Sequence, residues 1–200
     1  MSNAEPPELT PRQKVSLTFG LGVLVSEAVE MTSQEFEFNA LLQRGTTPAN
    51  LMCSGLRAGE LRLLGFTKTA HYKRLGFDAL HLVDASFCED LKNEFGSDAV
   101  LTTFLTSAGD AVALAGSQAA AILGCSTERL LRLCAGFPTE ACEVLRQSSS
   151  ASLLEGVSAR TLLDTGLRSG QLASLGLGVV DLKTMSDLEP SMAAKFGFKL

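Results

Sequence analysis

The chain has 200 residues, of which 46% are hydrophobic and 20% charged, enough for one large domain or two small ones with a buried core. That apolar share excludes a mainly disordered chain. A formal net charge of −5 excludes bulk electrostatic attraction to nucleic acid or anionic membranes. Aromatic residues make up 6%, with no Trp and a single Tyr, which suits small, closely spaced helices better than a β-sandwich.

In chain order, residues 1–10 read as a disordered tail. The first twelve carry two acids and lack the basic-then-apolar order of a signal peptide. Residues 11–44 read as an N-terminal helical cap. Thr10-Pro11 supplies an N-cap and an N1 proline for a helix to about Met31. Thr32-Ser33-Gln34-Glu35 is a capping box that opens a second helix, ending at Gly45. The apolar run Val15 to Val25 spans eleven residues and contains Gly20 and Gly22. It falls short of the ~20 apolar residues of a membrane span and reads as a core helix. Its lone Gly-x-Gly suits close helix packing better than phosphate binding.

From Gly45 onward a ten-residue frame recurs, Leu-x-x-x-Gly-[Phe/Leu]. With one inserted residue after Gly65 it gives sixteen steps ending at 196. Glycine fills ten of them: Gly45, Gly55, Gly65, Gly76, Gly96, Gly116, Gly136, Gly156, Gly166 and Gly176. Composition alone would supply about 1.4, so the spacing is a signal of repetition. Placed at C′, each glycine takes the left-handed conformation without a Cβ penalty.

The flanking columns fit that placement. Four residues before the steps stand Leu41, Leu51, Leu61, Tyr72, Leu82, Val112, Ile122, Leu162, Leu172, Leu182 and Met192. One residue after stand Leu56, Phe66, Phe77, Phe87, Phe137, Val157, Leu167 and Leu177. These are the two apolar partners of a Schellman cap. Thr47, Thr67, Asp78, Asp98, Ser148 and Ser158 follow as N-caps for the next helix, and Pro48 falls at N1.

The unit is therefore a helix of about two turns, a glycine stop and a tight turn. Helices this short persist only by packing on neighbours. Residues 45–200 are accordingly expected to be an all-α, solenoid-like array of decapeptide units behind the cap. Residues 97–150 fit the frame worst and are expected to hold one or two longer helices that interrupt it. The competing reading is an ordinary helical bundle in which the glycine spacing has no structural meaning.

LRLLGFT (61–67), YKRLGFD (72–78), LLDTGLR (162–168) and LASLGLG (172–178) resemble the short helical decapeptide repeats of the type Leu-[Lys/Arg]-x-x-Gly-[Phe/Leu]-[Ser/Thr], found mostly in uncharacterised proteins, especially of protists. The resemblance covers roughly residues 41–96 and 152–200. It implies a repeat architecture and brings no catalytic residues with it.

Candidate chemistry is sparse. His71 and His81 lie ten residues apart with Asp84 and Cys88 nearby, so a metal or acid–base pair is one reading. Without CxxC or HExxH spacing, exposed helix positions are the expected one. Cys125, Cys134 and Cys142 sit among Leu and Ala with no His in that half, and are expected to be buried apolar residues. Five cysteines, an odd count, point to reduced thiols in a cytoplasmic, intracellular protein. Glu89, Asp90 and Lys92 read as a solvated helix face. The glycine turns of 153–185 also admit a helix-hairpin-helix reading, with Arg160, Arg168 and Lys183 on phosphate. Glu155, Asp164 and Asp181 dilute that charge, and no basic footprint results.

The expected role is that of a non-enzymatic scaffold or adaptor with a protein partner, no cofactor, no nucleic acid and no membrane. The expected contact positions flank the caps: Arg57, Lys68, Lys73, Arg74, Arg168 and Lys183.

Overall fold

The computed structural model describes residues 38–43, 45–63, 65–148 and 154–198, and among these it is all-helical, with no strand. The expected tail over 1–10 and most of the expected cap, with the run from Val15 to Val25, lie outside the described residues. Fourteen α-helices follow one another: α1 (Phe38–Gln43), α2 (Pro48–Ser54), α3 (Ala58–Leu63), α4 (Thr69–Leu75), then a 3-10 turn (His81–Val83), α5 (Ala85–Phe95), α6 (Ser97–Phe104), α7 (Ala108–Leu114), α8 (Gln118–Leu123), α9 (Thr127–Leu133), α10 (Pro138–Gln147), α11 (Ala159–Asp164), α12 (Ser169–Ser174), α13 (Val179–Leu182) and α14 (Pro190–Phe196).

The stops are built on backbone handedness. All ten glycines at the decapeptide steps have positive φ, from +65° at Gly116 to +106° at Gly76, and Gly124 and Gly197 share it. After α4, the Phe77 amide donates to Tyr72 O and the Gly76 amide to Lys73 O. This is the two-bond Schellman pattern, and it recurs around Gly45, Gly65, Gly124, Gly176 and Gly197. Gly55 and Gly166 use a variant. Ser54 Oγ donates to Leu51 O at 2.6 Å and accepts the Leu56 amide at 3.3 Å, so a hydroxyl is inserted where the long backbone bond would run. Thr165 repeats this between Leu162 O and the Leu167 amide.

Burial follows the columns at both ends of the array. Leu41, Leu51, Leu61, Tyr72, Leu82, Leu162, Leu172 and Leu182 are all buried. In the middle the register slips by a residue. Val112 and Ile122 are half-buried, while Ala111, Leu114, Ala119 and Leu123 occupy the core. Phe137 departs further and is 52% exposed. Its predecessor, Gly136, donates its amide to Asp164 O at 2.9 Å, while the Phe137 amide donates to Cys134 O at 2.9 Å.

Five helices span residues 97–147, and two of them, α6 with eight residues and α10 with ten, are longer than the two-turn unit. Ser107, Ser117 and Ser126 each accept an amide three residues on and restart the chain as N-caps. The true interruption lies earlier. Asp78 accepts the Leu80 and His81 amides, and six residues later Asp84 accepts the Phe87 amide. Two acidic caps this close leave room for only a 3-10 turn between them. The longest helix, the eleven-residue α5, then runs straight through the step at Ser86. Of the expected N-caps, Thr47 and Ser158 cap their helices, whereas α4 starts one residue after Lys68, α6 starts directly after Gly96, and Ser148 closes α10.

Tertiary contacts return two to four elements along. Counting the 3-10 turn, α3 packs on α5, α4 on α6, the turn on α7, α5 on α8 and α7 on α10, each the third element along, while α6 packs on α8 and α7 on α9, two along, and the turn on α8, four along. Farther on, α9 packs on α11 and α11 on α14. Side-chain bonds echo this: Arg62–Glu94, Thr69–Thr103, Thr161–Glu128 and Ala159–Asp187 join residues 32, 34, 33 and 28 apart. The core is one continuous cluster from Phe38 to Phe196.

Candidate functional site

Two clefts lie where a glycine turn meets the chain that returns about 30 residues later. The first, of about 550 Å³, is formed by Met52, Gly55, Leu56 and Arg57 on one side. The other side is the start of α5, with Asp84, Ser86, Phe87, Glu89, Asp90 and Asn93. The second, of about 520 Å³, sets Leu154–Ser158 against Thr184–Asp187.

Both are built by the same device. The first free amide of α3, Ala58 N, donates to Asp90 Oδ2 at 3.0 Å, and that of α11, Ala159 N, donates to Asp187 Oδ1 at 2.9 Å. Each helix start is thus satisfied by a carboxylate that lies 32 or 28 residues further along the chain, which ties the two segments together. Asp90 is therefore not the solvated acid that its neighbourhood with Glu89 and Lys92 suggests. The only sequence signal for it is an acid about 30 residues beyond a helix start that lacks a good N-cap.

In the first cleft Asp84 is held by the Phe87 amide at 3.0 Å, and Phe87 stacks on Phe77 at 4.9 Å. Glu94 pairs with Arg62 at 2.6 Å just behind. Glu89 and Asn93 are exposed and carry no hydrogen bond or ion pair among the described residues. Tyr72 lies buried behind this wall among Phe66, Phe77, Phe87 and Phe95. Burial, and then the charges of Glu94 and Asp90, push its phenol far above the ordinary range.

A third cross-pass junction joins α9 to α11. Glu128 accepts Thr161 Oγ1 at 2.6 Å, the Ser158 amide at 3.1 Å, Ser158 Oγ at 3.2 Å and Arg132 Nη2 at 3.0 Å. Burial alone would raise this carboxyl; the donors more than offset that and hold it below the usual carboxylate range.

The histidines do not converge. His71 lies within α4, stacked on Phe38 at 4.5 Å, whereas His81 opens the 3-10 turn with Nδ1 2.7 Å from Asp78. Among the described residues no three His, Cys, Asp or Glu side chains form a metal-holding group. Cys88 and Cys134 are buried, and burial pushes both thiols up to about 11. Cys125 and Cys142 are half-buried, with burial raising them too.

The six expected contact cations are all exposed but dispersed. Arg57 lines the first cleft. Lys68 directly precedes α4, and Lys73 and Arg74 lie in its last turn, with Arg74 over the Phe38 ring at 5.5 Å and Lys73 Nζ 6.0 Å from the Phe104 ring centre. Arg168 and Lys183 flank α12 and α13 far along the chain. Of the cations read as phosphate ligands, Arg160 pairs with Asp164 at 3.3 Å. No helix among the described residues is long and apolar enough to cross a membrane. No protein-family model, curated protein or solved structure matches this chain.

Proposed function

We propose that residues 45–200 form an α-solenoid with three short helical units per superhelical turn, preceded by a helical cap over 11–44, and that it serves as a non-enzymatic scaffold for a protein partner. The observation that carries the architecture is the separation of 27 to 34 residues that recurs in most of the long-range hydrogen bonds from Ala58 to Arg160, Thr127–Ser148 at 21 being the exception. A turn of about 30 residues is three decapeptides. Stacked turns present continuous outer surfaces on which residues between the structural columns are free to vary. The buried thiols with raised pKa, the separated histidines and the dispersed cations lend no support to covalent, metal or phosphate-backbone chemistry. Free cysteines, with Cys88 and Cys134 packed in the core, suit a cytoplasmic setting.

The test is proximity labelling with the full chain in its source cell, followed by titration of the enriched protein against purified chain. Saturable binding to one protein is the expected result. Retention of nucleic acid that washes off with salt, with no saturable protein binding, overturns the scaffold reading.

A further inference from the structure

The scaffold reading leaves the docking position open, and the inference below rests on that reading. Five large apolar side chains stand exposed among the described residues: Met52 (38%), Leu80 (66%), Val83 (44%), Phe137 and Val180. Of these, Met52 lines the first cleft; Val83 ends the 3-10 turn just before the lining residue Asp84, and Leu80 precedes that turn. This is also where the decapeptide frame breaks, because Asp78 and Asp84 cap too close together for an α-helix. A local departure from an otherwise consistent pattern, with apolar side chains left in water beside it, marks a place where folding alone does not explain the residues.

The cleft also has a chemical polarity. Its α5 side carries Asp84, Glu89 and Asp90, and the only cation among its lining residues is Arg57 at the opposite turn. Asp84 and Asp90 each accept one backbone amide, which leaves lone pairs on both, and Glu89 is unengaged. The floor is apolar, from Met52, Leu56 and Phe87. The second cleft has none of the exposed large apolar side chains, and Ser158, Thr184 and Ser186 give it a hydroxyl-rich lining.

We propose that the first cleft docks an extended segment of a partner protein that carries an apolar side chain close to a Lys or Arg. The apolar side chain lies against Met52, Leu56 and Phe87; the cation faces Asp84 and Glu89. Arg57 at the far end disfavours a second cation there. A phosphate-bearing partner is repelled by the same three carboxylates.

The experiment pans a display library of random linear peptides against the full chain and titrates the enriched synthetic peptides by fluorescence anisotropy. The titrations use wild type, Glu89→Arg, Met52→Ser and, as a control on α10, Thr139→Arg. Enriched peptides are expected to share an apolar residue close to a Lys or Arg and to bind Thr139→Arg as they bind wild type. They are expected to lose about tenfold in affinity on each of the other two variants. A peptide with its Lys changed to Glu is expected to regain binding to Glu89→Arg, which a merely misfolded variant would not allow. Three results overturn the proposal: no enrichment, enrichment of acidic or purely apolar sequences, or equal binding to Glu89→Arg. Self-association of the chain that Glu89→Arg abolishes also overturns it, because the occupant is then a second copy. A saturable protein partner from the labelling experiment that ignores both cleft substitutions leaves the scaffold reading standing and ends this one.

Discussion

Gly116→Ala and Gly124→Ala form a matched pair of perturbations. The two glycines have nearly the same backbone twist, φ +65° and +64°, so an alanine at either meets the same left-handed penalty. That penalty is roughly 1–2 kcal/mol. Their surroundings differ. A Cβ at Gly124 meets nothing within 4 Å. A Cβ at Gly116 lands inside the contact radius of the Gln147 carbonyl oxygen and 3.2 Å from its carbon. Gln147 is the last residue of α10, and its backbone cannot swing away as a side-chain tip would. Relief requires moving the end of α10, which packs on α7, the helix that Gly116 follows. Overpacking of this kind adds about 1–3 kcal/mol. Gly124→Ala should therefore cost about 1–2 kcal/mol and Gly116→Ala about 2–5 kcal/mol. Urea unfolding followed by far-ultraviolet circular dichroism measures both, with unchanged slopes required for the comparison. Equal midpoint shifts would refute the close approach of neighbouring passes at this glycine.

Replacing Glu128 by Gln removes the charge that gathers Thr161, Ser158 and Arg132, and should cost about 1.5–3 kcal/mol near neutral pH. Because the folded carboxyl lies below its usual range, its contribution is full above the unfolded pKa and is lost as pH falls through the folded value. The stability gap between wild type and Glu128→Gln should thus close on acidification; a gap that widens refutes the junction. Asp90→Ala and Asp187→Ala each remove a cross-pass cap, with an expected cost of about 0.5–2 kcal/mol. The costs should add in the double variant, since the sites share no partner, and strong non-additivity in thermal unfolding would contradict this. A disulfide reagent at neutral pH should label exposed Cys53 before Cys88 and Cys134, whose thiols are buried and poorly ionised. Comparable rates for all three would show that α5 and α9 do not bury them.

What the sequence made legible is what adjacent residues decide. A left-handed stop needs a glycine, an apolar residue four before and another one after, and all three sit within one decapeptide. Leu61, Gly65 and Phe66 could be read together for that reason. The relaying hydroxyls of Ser54 and Thr165 are equally local, and the residue before glycine was their signal. The short turn at His81 was written in Asp78 and Asp84, but a fixed ten-residue step hides two caps six apart. Phe137 could not be placed from its column, because the Gly136 amide is satisfied by Asp164, 28 residues further along the chain. The roles of Asp90, Asp187 and Glu128 depend on how far each unit rotates relative to the last. No single residue encodes that angle; it emerges from the packing of many side chains. The first cleft was invisible for the same reason, apart from Arg57.

Stacking at the third element is best tested by nuclear Overhauser spectroscopy on the methyl-labelled full chain. Cross-peaks should link α3 with α5, α7 with α10 and α11 with α14, at separations clustered near 30 residues. Cross-peaks scattered over unrelated separations, such as α3 with α10 or α4 with α14, would describe an ordinary bundle and contradict the three-unit superhelix.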